Sequence, residues 1–355
     1  MSANPLPLFP ASIVGSIPRP LVVRELIDKP EWDDADFDMM DAAVRFVVAL
    51  QERAGLDVVN DGEWRRRSYI GVIAELAHGF TLETNPADGR PWTVVTERLS
   101  PKPAGFVAAE AAFVKKFARV ATKVTLPAPA LLGERLWDSE RSKKAYRDRS
   151  DFVRACVAPL RTEIALLQDI GIDIVQIDDP HLCLFVDPEV RRHYDDPDRA
   201  ADFAVEMINE TVAGFAGVKF AVHLCRRAGA RVRGERHHTG SYGPILDQLN
   251  RLNVQHLTME FTAAGADDLE SLGRLREDFE LGLGVVDVTL GAPEAAPVIA
   301  ARVERALSRI DKRRITLNPD CGFAPGSAAK VDTDEVYLKL KAEAAAAKML
   351  RQRYG

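Results

Sequence analysis

Alternation constrains this chain more than any other feature: short apolar runs rich in Val, Ile and Leu recur along it, separated by segments whose apolar residues follow a helical spacing. That pattern marks parallel strands covered by helices. The strand-like runs are ASIVGS (11–16), GLDVVN (55–60), KVTLPA (123–128), GIDIVQID (171–178), VKFAVHLC (218–225), VQHLTMEF (254–261), GLGVVDV (282–288) and RITLNPD (314–320). Helical spacing is carried by residues 38–54, 150–170, 198–215, 267–278 and 294–310, with an amphipathic tail at 332–353. Gly171 stands where the second of these helices should stop.

Eight strands with intervening helices predict an α/β fold, a single (β/α)8 TIM barrel formed by residues 1–355 as one catalytic domain. An open doubly wound sheet shares this periodicity and is the alternative. The stretch near 79–121 fits the pattern least, because TLETNPADGRPW is loop-like or hairpin-like, and it is expected to be an insertion. Barrels of about 250 residues often carry such insertions, and 355 residues leave room for one.

Composition narrows the function. The net charge is −6 and basic residues are scattered among acidic ones, so nucleic acid is not an expected partner. The opening MSANPLPLFP lacks the basic start and apolar stretch of a signal peptide, and no apolar run reaches membrane-spanning length. A cytoplasmic protein with no membrane partner is expected. Four cysteines are too few for a disulfide scaffold, which turns attention to metal binding or catalysis, with ordinary burial as the alternative.

The unusual residues fall where strands end. His223 and Cys225 are two apart in VKFAVHLC, so the pleat points both to one side. Glu260 ends the next strand, and Cys321 follows the last one in NPDCG, so barrel closure carries all four toward one mouth. One His, two Cys and one Glu are ligand types that zinc accepts. Cys156, inside a helix, and Cys183, beyond the strand-end aspartates, do not share this placement and are read as structural. Coordination favours thiolate over thiol, so the expected chemistry is activation of a small thiol, with Glu260 yielding its position to the incoming sulfur. A zinc that merely locks the barrel is the noncatalytic alternative.

With those residues in place, the segments VHLCRR, TMEFT, GLGVVDV and LNPDCGF resemble, in order, the catalytic barrel of the cobalamin-independent methionine synthase family. Earlier segments extend the likeness: SIVGSIPRP is similar to its Ile-Gly-Ser segment, VVNDGEWRRRSY to its Gly-Glu segment and VQIDDP to its Ile-Asp-Glu-Pro segment. The resemblance implies methyl transfer to the thiol of homocysteine, with His223, Cys225, Glu260 and Cys321 as zinc ligands. It also implies that Gly15, Ser16, Glu63 and Asp178 hold the amino and carboxylate groups of the amino-acid substrate.

Departures from the family pattern bear on the donor. Thr289 stands where the family has a histidine proposed as proton donor, and Asp179 replaces the usual Glu beside Asp178. The chain has no room for the duplicated N-terminal barrel and resembles the short, single-barrel branch, whose donors include methylated corrinoids. Methyltetrahydrofolate or a methylcorrinoid protein is therefore the implied donor partner. An epoxyalkane:coenzyme M transferase-like reaction on another small thiol is the enzymatic alternative. His181, in DDPHL, is a candidate substitute for the missing acid. Arg65, Arg66, Arg67, Arg226 and Arg227 are candidate anion-binding groups with solvent exposure as the alternative, and His237 and His238 are read as loop surface.

Overall fold

A computed structural model describes residues 5–84, 91–226, 238–324 and 331–355 of the chain. Its main sheet contains β1 (Val58–Val59), β4 (Ala121–Pro127), β5 (Ile174–Asp178), β6 (Lys219–Leu224), β7 (His256–Glu260), β8 (Glu280–Val286) and β9 (Ile315–Pro319). These seven are parallel and neighbour one another in that order. A separate antiparallel pair joins β2 (Ala77–Thr84) to β3 (Pro91–Pro101). The result is an α/β protein with a seven-stranded parallel half-barrel, consistent with a TIM-barrel-like fold.

The run at 11–16 departs from its expected strand. Only Ala11 makes a bridge, to Leu317. Its carbonyl accepts from the Asp57 and Val58 N–H groups, while Ser12 N–H donates to Leu317 O, so the segment bonds both edges of the seven-stranded sheet. Further along, side chains occupy the carbonyls that a ladder would use. Lys123 Nζ donates to Ile13 O, Gln176 Nε2 to Val14 O and Asn60 Nδ2 to Gly15 O.

The expected insertion is shorter than the sequence suggested. Only the β2–β3 hairpin stands apart; Phe106–Phe117 is a helix packed against the helices Asp34–Ala54 and Arg149–Ile170, and Ala121 already belongs to β4. The segment 267–278 contracts to a four-residue helix, Leu269–Leu272, capped by Asp268. Arg276 then fastens the chain by donating to the carbonyls of Asn250 and Leu252. The longer helices are bounded as their sequences ask. Asp33 forms a capping box, Asp196 caps Pro197–Val212, and Gly171 ends Arg149–Ile170 with φ 76°, a conformation that costs glycine little. Among the described residues no helix is long and apolar enough to cross a membrane.

Side chains alternate across the sheet. One face is apolar and packs under the helices, with Val124, Leu126, Val175, Ile177, Phe220, Val222, Leu257, Met259, Leu281, Leu283, Ile315 and Leu317 all buried. The other face carries Lys123, Thr125, Gln176, Asp178, His223, His256, Thr258, Glu260, Thr316 and Asn318, and of these Lys123, Gln176, Asp178, His223, His256, Thr258 and Thr316 bond within the set. Two glycines on β8 allow this. A Cβ on Gly282 would lie 2.5 Å from Asn318 Oδ1 and 2.8 Å from His256 Cε1, and one on Gly284 would lie 2.6 Å from Met259 O. With no side chain there, His256 Nε2 reaches Thr316 Oγ1 at 2.8 Å over the intervening strand.

His256 is lowered to about 3, first by burial and then by the charges of Lys123 and Lys219. The folded protein therefore keeps it neutral where an unfolded chain takes up a proton, below about pH 6.5. Its contribution to stability is present above about 6.5 and is lost as pH falls toward 3. Denaturant midpoints measured across that window should fall with pH in the wild type and fall less steeply in His256→Gln. Equal slopes would contradict the assignment.

Candidate metal centre

Parallel strands all end on the same side, and the β6 end brings His223 and Cys225 there together. Cys321 follows β9 directly, and possible ligand atoms of His223, Cys225 and Cys321 all lie within 4.8 Å of one another, in a buried group. The Cys321 thiol donates to the Cys225 sulfur at 3.6 Å. That bond, and then burial, pushes the Cys225 thiol well above its ordinary range. His223 Nδ1 lies 3.0 Å from Asp178 Oδ1, while its Nε2 is buried with no hydrogen-bond partner. A buried imidazole nitrogen left without a partner beside two sulfurs fits a thiophilic divalent ion such as zinc.

The loop bearing Cys321 is fixed from both sides. Asp320 accepts from the N–H groups of Phe261 and Thr262, at 3.0 and 3.1 Å, and from the Thr262 hydroxyl. Burial raises its carboxyl to about 7 against the pull of those three bonds. On the other side, Phe323 N–H donates to Ser16 O at 3.0 Å and Ala324 N–H to Ser16 Oγ at 3.3 Å. Gly322 permits this approach, since a Cβ there would stand 2.4 Å from Ser16 Oγ.

Glu260 ends β7 and is fully buried, yet its carboxylate has a different immediate setting from the His/Cys/Cys group. Its Oε1 accepts from the Arg226 N–H at 2.8 Å, and its Oε2 lies 3.9 Å from Arg226 Nη1. Arg226 is itself buried over the Tyr242 ring, 4.2 Å from the centroid, and donates to Tyr242 Oη and Gly240 O. This arginine is a structural counter-charge to Glu260 and not a solvent-exposed group.

Glu63, Gly15 and Ser16 meet beside this centre. Glu63 has φ 59°, a left-handed backbone rarely adopted by a side-chain-bearing residue, and is buried. Its Oε1 accepts from Thr125 Oγ1 at 2.7 Å, and a Cβ on Gly15 would lie 2.9 Å from the same oxygen. Burial raises the Glu63 carboxyl; the Arg66 charge opposes this and the Asp178 charge adds to it. Arg66 donates to Thr125 O and Oγ1 and pairs with Glu110 at 2.9 Å in the interior. Tyr69 was not singled out from sequence. Burial raises its phenol, the Arg135 charge opposes this, and negative charge on Cys225, Asp178 or Cys321 raises it further. Only its neighbourhood in the Gly-Glu segment hinted at a link to those groups.

Other sequence candidates have defined partners. His181 Nε2 lies 2.8 Å from Tyr194 Oη and 3.5 Å from Glu134, lining a cleft of about 750 Å³ beside the helices Pro129–Leu136 and Pro197–Val212. Asp179 caps Pro180–Leu184 by accepting from Leu182 N–H, and burial raises it to about 7. Thr289 donates its hydroxyl to Asp287 at 2.6 Å. Arg65 pairs with Asp41, and Arg67 donates to the carbonyls of Ile27 and Lys29. His238, expected at the loop surface, is buried against Asp187 at 2.9 Å. Arg227 and His237 lie outside the described residues. Cys156 and Cys183 are buried, and burial pushes Cys183 up to about 12.

Comparison with known proteins identifies the family and the fold. Residues 9–349 match the family model for the catalytic domain of cobalamin-independent synthase. A methionine synthase from Saccharolobus islandicus (strain Y.N.15.51 / Yellowstone #2) is 28% identical over 328 residues, covering 90% of this chain and 89% of its own. The fold is similar to that of a B12-independent methionine synthase from Shewanella sp. W3-18-1 in complex with selenomethionine, with TM-score 0.81, 22% identity, and 98% and 99% of the two chains covered. It is also similar to a putative vitamin-B12 independent methionine synthase from Listeria monocytogenes, with TM-score 0.72, 22% identity and the same coverage. The chain belongs to the cobalamin-independent methionine synthase catalytic-domain family.

Proposed function

We propose that this protein is a zinc-dependent methyltransferase that methylates the thiol of homocysteine to give methionine, drawing the methyl group from methyltetrahydrofolate or a methylcorrinoid. The observation that carries the reading is the buried convergence of His223 with the Cys225 and Cys321 sulfurs, His223 Nε2 having no hydrogen-bond partner, in a chain of this family. Residues 1–355 act in this reading as one catalytic barrel, with segment 10–12 in the eighth strand position. A reducing, cytoplasmic setting is part of it, because two thiols 3.6 Å apart need protection from oxidation.

His223, Cys225 and Cys321 would hold the ion, with Glu260 as the fourth, exchangeable ligand. A zinc ion bound there supplies positive charge that favours thiolate over thiol at neutral pH. Glu63 and Asp178 accept hydrogen bonds from the substrate ammonium, and the Gly15 and Ser16 backbone faces its carboxylate. Together they orient the substrate so that its sulfur forms the new S–CH3 bond as the donor's bond to that methyl breaks. His181 remains the candidate acid for the departing donor, with its Nε2 2.8 Å from Tyr194 Oη and 3.5 Å from Glu134.

Purified zinc-loaded protein should release a proton on addition of homocysteine and form methionine with one member of a donor panel. Cys321→Ser should lower zinc content and reduce turnover at least about 100-fold. Failure of every small thiol to release a proton would leave a zinc that only braces the fold. Turnover with an epoxide or other nonmethyl electrophile, and none with methyl donors, would point to the alkyltransferase alternative.

Glu63→Gln separates binding from metal capture. Loss of a charge-assisted hydrogen bond should raise KM for homocysteine about 10- to 100-fold. Zinc content should stay at the wild-type level. Unchanged KM would remove Glu63 from the substrate site.

A further inference from the structure

The hollow of the half-barrel contains a buried lysine that the proposed reaction does not use. Lys123 is 3% exposed, and its ammonium donates to Ile13 O, to Gln176 Oε1 at 3.0 Å and to Ser12 Oγ at 3.3 Å. At the other end of the same amide, Gln176 Nε2 donates to Asp178 Oδ1 at 2.8 Å and to Val14 O at 3.0 Å. Asp178 Oδ1 in turn faces His223 Nδ1 at 3.0 Å. A continuous chain of contacts therefore joins a cation in the barrel hollow to an imidazole at its mouth.

We propose that Lys123 and Gln176 are positioning residues that hold Asp178, and through it the Nδ1–H form of His223, so that Nε2 is presented to the metal. This inference rests on the zinc reading above. The amide explains why a charge is needed. With Oε1 toward an ammonium and N–H toward a carboxylate, Gln176 has one favourable orientation; the flipped amide would meet like polarity at both ends. Thr258 alone could not impose that choice. Its hydroxyl donates to Gln176 Oε1 at 3.3 Å but is equally able to accept.

Removing the cation leaves Gln176 Oε1 with only the Thr258 hydroxyl, so the amide that donates to Asp178 and to Val14 O is held less firmly and the partner of His223 Nδ1 loosens. Partners of this kind, which fix tautomer and ring orientation, are typically worth about 10- to 100-fold in metal affinity. Burial lowers Lys123 to about 8, opposed by the charges of Asp178, Glu343 and Glu63.

The test is zinc affinity, measured by competition with a chromophoric chelator, together with the cobalt(II) absorption spectrum of full-length protein. Wild type and Cys321→Ser come first; wild-type protein that binds no zinc through Cys321 would overturn the zinc reading and this inference with it. Given wild-type binding, Lys123→Met and Gln176→Met should each bind zinc about 10- to 100-fold more weakly, with shifted cobalt bands, at temperatures where both remain folded. A merely structural lysine would lower Tm and leave affinity and spectrum unchanged. That result would overturn the relay while the zinc reading stands. Should neither variant fold, Thr258→Val takes one donor from the same oxygen; a several-fold loss is expected, and wild-type affinity would overturn the relay.

Discussion

The bond between Asp178 and His223 depends on strand register. Their Cα atoms are partners on adjacent parallel strands, β5 and β6, and both side chains leave the pleat on its concave side. A slip of one residue would turn both outward into the apolar layer beneath the helices. Because the outer face offers apolar neighbours such as Ile177 and Val222, register is strongly specified. Hydrophobic patterning on one face thus fixes the polar chemistry on the other.

Close approach on that inner face needs missing side chains as much as present ones. Gly282 and Gly284 let groups from β7 and β9 meet across β8, and Gly322 lets Ser16 reach the Cys321 loop. Each contact then satisfies polar groups that burial would otherwise leave at a cost of roughly 1–3 kcal/mol each. Asp320 is the clearest case: its carboxylate stitches the end of β7 to the end of β9, which sets Cys321 opposite Cys225. A polar layer left largely unconnected would be less stable than an apolar core.

Much of this was legible in the sequence. The apolar runs located the seven sheet strands to within a few residues, and the His-x-Cys spacing with a cysteine after the last strand identified the group that converges. Segment 11–16 reads as a strand because its side chains are apolar, but its carbonyls are taken by Lys123, Gln176 and Asn60, residues distant in sequence. Periodicity reports side-chain burial and is blind to where a backbone group finds its partner. The same blindness hid Arg226. An arginine after a ligand pair reads as surface or anion binding, whereas a tyrosine 16 residues on supplies the ring that buries it.

The setting of Glu260 bears on whether a metal here would be structural or reactive. A structural zinc site closes its shell with four protein ligands that do not exchange. Three ligand-bearing side chains converge here, while the carboxylate that would complete the set has a second anchorage in the Arg226 N–H, one residue beyond Cys225. A carboxylate released from a metal into a dry interior would be costly unless countered there. The buried guanidinium 3.9 Å away gives the released state of Glu260 a compensating charge, so exchange with an incoming sulfur would not strand an ion in the core. In the reading proposed above, this pairing suits a reactive centre better than a purely structural one.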